Sequence, residues 1–293
     1  MLPQQLLNAL TLGSVYALFA LGFTLMFGVL GVINLSHGAV FMVGSYAALF
    51  FVNHFHLPLW LALLSAMAIS GCLGLLIDVL ILKPLRARNA PHLIPMIATI
   101  GVAITLSSAA QGIFGAEIMR FPEGTIPTGE FTFGDVHVRA IEIGIVAISL
   151  AVMAILFTAL RRTQVGRALR AIAESPKSAA LLGINVEGLF RATAFIAGAL
   201  GGAAGVLIGL DFNAITPLMG QPILHKGIAV IILGGMGDIR GSLIAGLFLG
   251  FAEVMSKAYL SSQMGDAVAF GMLFLILLVR PSGLFGRVLE RKA

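Results

Sequence analysis

LLNALTLGSVYALFALGFTLMFGV, residues 6–29, is a run of 24 residues without one Asp, Glu, Lys or Arg. A helix rises ~1.5 Å per residue, so this run reaches ~36 Å, and a bilayer core asks for about 20 mostly apolar residues. A helix also closes its own backbone hydrogen bonds, which lipid cannot do for it. The run therefore reads as a membrane-crossing helix. It has neither the basic start nor the small-residue cleavage site of a secretory leader, so it is expected to stay in place.

The pattern recurs along the chain. Further apolar runs lie near 37–52, 58–82, 93–115, 141–160, 189–210, 222–236, 241–258 and 265–280. The run at 222–236 is short and ends in glycines, which suits a half-helix or re-entrant piece. The expected fold is all-α: a polytopic integral membrane helix bundle of eight or nine transmembrane segments, one of them short, in a single domain over 1–293. Composition points the same way. Of 293 residues, 59% are hydrophobic and 11% charged, against about 25% charged in a soluble domain, and no soluble fold of this length hides so much apolar surface. Glycine, at 35 residues, lets helix backbones approach closely inside a bilayer. Cys72 is the single cysteine, so no internal disulfide forms, and the spacings of a metal site are absent.

The net charge of +5 reads as topology rather than nucleic-acid binding, because the basic residues fall in short loops. Lys83, Arg86 and Arg88 follow the third run. Arg161, Arg162, Arg167, Arg170 and Lys177 follow the fifth, and Arg280, Arg287, Arg291 and Lys292 close the chain. Cytoplasmic loops collect such residues. The expected topology puts these loops and the C-terminus in the cytoplasm and the N-terminus outside. The segment 116–140 instead holds Glu117, Glu123, Glu130 and Asp135 against Arg120 and Arg139. Its stretch FPEGTIPTGEFTFGDVHVRA (121–140) mixes turn residues with short alternation, which predicts a small β-rich excursion on the outer side.

Three segments stand out as candidates for function. GVINLSHGAVFMVGSYAA (31–48) places Asn34, Ser36 and His37 between apolar runs. An unwound turn at membrane depth is tolerated only where protein or a wet cavity satisfies it, and such breaks mark substrate paths in transporters. A plain turn, with Asn34 and Ser36 capping the next helix, explains the same residues. TQVGRALRAIAESPKSAALLGINVEG (163–188) is the longest inside loop. It reads as two short helices broken at Pro176, with Gly166 before the first and Gly183 ending the second. Pattern alone leaves it open between docking on a partner and contact with anionic lipid heads. AVIILGGMGDIRGSLIAGLFLG (229–250) has a flexible break at Gly234, Gly235 and Gly237. Asp238 and Arg240 are placed to pair there, and Gly241, Gly246 and Gly250 offer a packing face, the last two at GxxxG spacing. Asp78, Glu142, Asp211, Glu253, Lys257 and Asp266 fall near expected helix ends, where an ionised group reaches the interface cheaply. There is no GxxxxGK[ST] loop, no zinc motif and no nucleophile elbow, so neither ATP binding through a P-loop nor intramembrane catalysis is expected.

Taken together, NLSHGAVFMVGSYAA (34–48), GRALRAIAESPKSAALLGIN (166–185), ILGGMGDIRGSLIAGLFLGFAE (232–253) and LLVRPSGLFG (277–286) resemble the inner-membrane permease subunits of bacterial ABC importers for branched-chain amino acids, the LivH type. The resemblance covers essentially the whole chain in order. It implies a membrane dimer with a second, related permease and two cytoplasmic ABC ATPases below. A periplasmic substrate-binding protein would deliver cargo from above. It implies no cofactor in this chain, with ATP and Mg on the ATPases. It makes 163–188 a cytoplasmic coupling segment, with Arg167, Arg170, Glu174, Pro176, Ala179, Ala180 and Gly183 as its candidates. The acidic–small–glycine pattern of Glu174, Ala179, Ala180 and Gly183 departs in spacing from that of better-known importers. Asn34, Ser36 and His37 are the candidate translocation path. Relatives in the same importer class carry urea, short amides or other amino acids. A carrier or channel working alone predicts an intramembrane ion site, and a membrane enzyme predicts a catalytic constellation; the sequence offers neither.

Overall fold

The structure, a computed structural model, describes residues 2–285 apart from His92, Thr128, Gly134, Asp135, Ser262, Pro281 and Ser282. The basic residues Arg287, Arg291 and Lys292 lie outside the described residues. The helices are α1 (Leu2–Leu30), α2 (His37–Phe55), α3 (Leu59–Ile77), α4 (Lys83–Ala87), α5 (Leu93–Phe114), α6 (Ala140–Arg162), α7 (Gln164–Glu174), α8 (Pro176–Leu181), α9 (Val186–Phe212), α10 (Gly220–Gly234), α11 (Ile239–Tyr259) and α12 (Met264–Val279). A five-residue π turn, Asp78–Leu82, joins α3 to α4. Among the described residues, seven helices are long and apolar enough to cross a membrane: α1, α2, α3 with its continuation to Ala87, α5, α6, α9 and α11. The runs expected at 222–236 and 265–280 form the shorter α10 and α12. The chain is thus a multi-pass membrane helix bundle.

Two helices form the centre. Every residue of α1 from Thr11 to Met26 is buried, as is every residue of α9 from Ala197 to Leu210. The two pack on each other, with α11 along α1 and with α2 and α3 along α9. Helices α5 and α12 lie outside and expose Ile97, Ile104, Leu275 and Leu278. A helix that is apolar all round suits this arrangement, because its outer face meets lipid or another membrane subunit.

Small residues explain how the central helices come so close. On α11, Gly246 and Gly250 meet Ala17 and Gly13 of α1. On α9, Gly198 lies against Ser70 and Gly71 of α3, and Gly202 and Gly205 lie against Gly44 and Phe41 of α2. No hydrophobic effect drives apolar helices together in lipid, so this backbone-level contact supplies much of the cohesion.

Helix ends are closed locally. Asn185 accepts from the Gly188 amide at 2.9 Å to start α9, and Asp238 accepts from the Gly241 amide at 2.8 Å to start α11. His56 and Asn213 take left-handed conformations after α2 and α9. The segment between α5 and α6 forms one antiparallel hairpin, β1 (Glu130–Phe133) with β2 (Val136–Arg139), and Met119 bridges to Ile215 before α10.

Gly205→Val drives a side chain into the Phe41 carbonyl. Such overpacking costs about 1–3 kcal/mol and is expected to lower the unfolding temperature in detergent. Gly101→Ala, where a Cβ meets nothing within 4 Å, should leave it unchanged. Equal unfolding temperatures would contradict the close α2–α9 approach.

Candidate functional site

Helix α1 ends where Gly31 takes φ +69, and residues 31–36 then run back without helix toward the middle of the bundle. Three successive amides are satisfied by protein. Leu35 donates to Thr99 Oγ1 at 3.1 Å, Ser36 to Asn34 Oδ1 at 3.1 Å, and His37 to the Asn34 carbonyl at 3.2 Å. Asn34 thus makes an Asx turn, the local side-chain substitute for a backbone bond. Helix α2 then begins inside the bundle. The His37 ring sits 4.6 Å from Phe19 and 5.5 Å from Phe23, and its Nε2 lies 3.4 Å from the Phe19 carbonyl. Phe23 and Phe19 stand seven and eleven residues before Leu30, ~10–16 Å along α1. The break read from the sequence is present, and Asn34 closes its turn; Ser36 stands at the N-cap of α2 but makes no side-chain cap bond, because its hydroxyl donates to Asn34 Oδ1 at 2.5 Å.

Beside this break lies a cavity of ≈310 Å³. Leu35, Ala39 and Met42 line one side, Ile100, Ala103 and Ile104 of α5 a second, and Leu224 and Ile228 of α10 a third. Ser107, Gln221 and His225 are its polar contributions. Asn34, Ser36 and His37 do not line it; all three are buried behind the wall. They hold the backbone whose neighbours form the cavity. Sequence reading picked the polar residues, while the surface is made by the apolar ones between and after them.

The far side of α10 carries a cluster that sequence reading missed. Glu253 was expected near a helix end, but it lies inside α11 with 1% exposure. Its carboxylate accepts from Tyr16 at 2.9 Å, Lys226 at 2.7 Å and Lys257 at 2.6 Å. Lys226 also donates to the Tyr16 hydroxyl at 3.0 Å and lies 3.1 Å from Asp266 of α12. Four helices meet there. The signal was available, since Lys226 is the one charged residue in the run 222–236 and an intramembrane charge demands a partner. Asp78 is likewise buried, in the π turn, with Arg86 at 2.7 Å.

At the opposite end of α1, Thr163 caps α7 by accepting from the Gly166 amide at 3.1 Å. Gly166 is thus inside the first turn of α7, where the sequence suggested it precedes the helix; with no side chain it fits against Leu160. Arg170 donates to the Leu160 carbonyl. Leu169, Ile172 and Ala179 face the bundle, and Arg167, Arg170, Glu174, Pro176 and Ala180 are exposed. Ser175 starts α8 by accepting from Ser178, Pro176 fills its first position, and Gly183 follows at φ +80. Leu181 and Leu182, unremarked in the sequence, are 90% and 80% exposed. They form an apolar knob on an otherwise polar segment. Gly235 and Gly237 both have positive φ between α10 and α11, and Gly234 packs against Gly241. Asp238 is used as the cap of α11, not as the partner of Arg240.

On the other face, Arg139 joins Glu142 and Asp211 at 2.8 Å each. This ties the hairpin to α6 and α9, beneath a polar cleft of ≈790 Å³ reaching Gln4 and Lys257.

The family described as branched-chain amino acid transport system / permease component matches residues 5–277. The chain is 37% identical to the high-affinity branched-chain amino acid transport system permease protein BraD of Pseudomonas aeruginosa, across 97% of this chain and 95% of that one. It is 35% identical to the corresponding LivH of Escherichia coli K12, with the same coverage. It is 25% identical to the permease protein LivM of that organism, across 97% of this chain and 71% of LivM. No solved structure gives a significant match.

Asn34→Ala leaves the buried Ser36 amide without its acceptor, a loss of about 1–3 kcal/mol. Faster amide exchange over residues 34–38 and a lower unfolding temperature in detergent are expected. Unchanged exchange would contradict the Asx turn.

Proposed function

The chain belongs to the family of branched-chain amino acid transport system permease components, and from that premise we propose that it forms half of the membrane pathway of an ATP-driven importer for branched-chain amino acids. The observation that carries the reading is the break at 31–36 beside the apolar cavity between α2, α5 and α10. An apolar wall with a few polar groups suits the passage of an aliphatic side chain, which binds weakly enough to leave again. Asn34, Ser36 and His37 act as the scaffold of that wall. The LivM relative supports a second, related permease as the partner, with the outward face of α5 turned toward it.

The basic loops and α7–α8 face the cytoplasm of a bacterial inner membrane, and the N-terminus and hairpin face the periplasm. Two separate ATPases hold ATP and Mg below, and a periplasmic binding protein delivers cargo above. Leu181 and Leu182 anchor the ATPase contact, with Arg167, Glu174, Ala180 and Gly183 around them and Arg170, Pro176 and Ala179 shaping the segment beneath. Closure of the ATPase pair pushes α7–α8, and α7 passes the displacement to α1 and α6, on which it packs. Enzymatic turnover belongs to the ATPases.

Leu181→Asp with Leu182→Asp should reduce co-purification of the ATPases about tenfold or more, a loss of ~1.4 kcal/mol, with membrane insertion intact. Glu174→Lys should weaken the same contact. Full co-purification and transport in both would contradict the coupling assignment. Ala103→Trp fills the cavity and should abolish leucine uptake while the complex still assembles; unchanged uptake would move the pathway elsewhere.

A further inference from the structure

We infer that Lys226, held by Glu253 and Tyr16, is a positioning residue that fixes α10 as the movable wall of the cavity. This rests on the importer reading above. Lys226 stands two residues from both Leu224 and Ile228, ~200° around the helix, so it faces away from the cavity those residues line. It points to Glu253 on α11, Tyr16 on α1 and Asp266 on α12. A shift of α10 that changes the cavity must therefore stretch or rebuild this cluster.

The rest of α10 is held by packing: the Phe19 ring of α1 covers Gly227, Ile223, Val230, Ile231 and Leu233 join the core, and glycine contacts close its two ends. Gly220 lies against Gly38 of α2, and Gly234 against Gly241 of α11. Packing of this kind is non-directional. Backbone bonds from Leu284 to the Leu233 carbonyl and from Phe285 to the Gly234 carbonyl fasten its end, and among the described residues the ion cluster makes the only side-chain hydrogen bonds from α10 to other helices. Its inner members, Lys226 and Glu253, are buried, while the side chains of Lys257 and Asp266 are 42% and 60% exposed. Lys226 thus has two acceptors at different depths, Glu253 at 2.7 Å and Asp266 at 3.1 Å. Sliding of α10 trades one for the other without stranding a charge in the membrane, where an unpaired ammonium is costly. Tyr16 keeps the Glu253 carboxylate aimed at the exchange.

The test uses the full importer in liposomes, with this chain carrying Cys72→Ser and Ser107→Cys so that the thiol reports on the cavity. Lys226→Met should lower leucine uptake per ATP hydrolysed about tenfold, as misplacement of a working surface does, and change the labelling rate of Cys at 107 by a similar factor. Lys226→Arg, which keeps charge and reach, should restore most of both. A Lys226→Met complex with normal uptake per ATP and normal labelling overturns the inference. If that variant does not assemble, Tyr16→Phe decides: altered labelling at 107 supports the inference and unaltered labelling overturns it. If the unsubstituted complex takes up no leucine, the importer reading fails, while the labelling rates still decide whether Lys226 holds α10.

Discussion

Lipid supplies no hydrogen bonds, and that constraint governs the rest of this structure. Each backbone amide at membrane depth must be met by the protein, which is why the chain is helical almost throughout. Where it leaves the helix, at 31–36, Asn34 and Thr99 take over the work of the missing helical partners. The break is thereby stable enough to let α2 start inside the bundle. That start, in turn, opens the cavity between α2, α5 and α10. In the proposed pathway, function follows from a backbone departure that polar side chains make tolerable.

Cohesion among the helices has a second source with a different character. Glycine and alanine faces bring α1, α9 and α11 to backbone contact, and such faces resist separation more than they resist sliding. The charged cluster around Glu253 supplies what the glycine faces lack, a directional link between α1, α10, α11 and α12. Arg139, joined to Asp211 of α9, and Arg86, 4.0 Å from Glu187 of α9, lie at the two ends of the bundle.

Much of the fold was legible in the sequence because its signals are strong and local. Runs of apolar residues mark the spans, Pro176 marks the α7–α8 turn and Gly183 the end of α8, and the turn-rich stretch after residue 121 marks the hairpin. The short run at 222–236 was recognisable as α10 by its length and its glycines. What escaped depends on facing. Asn34, Ser36 and His37 drew attention because they are polar, yet burial turns them inward and gives the cavity to Leu35, Ala39 and Met42. Lys226 and Glu253 are 27 residues apart on different helices, and only the packing of α10 on α11 joins them. The Leu181–Leu182 pair looked like ordinary helix filling, because its exposure depends on where α8 comes to rest.

The central claim is that this chain is one half of an ATP-driven pathway and does not transport alone. The direct measurement is uptake of labelled leucine into liposomes holding this chain with a related permease, the ATPases and the binding protein. Uptake that requires ATP and the binding protein together is the predicted result. Uptake by this chain alone, with neither ATP nor partners, would contradict the account and identify an independent carrier or channel.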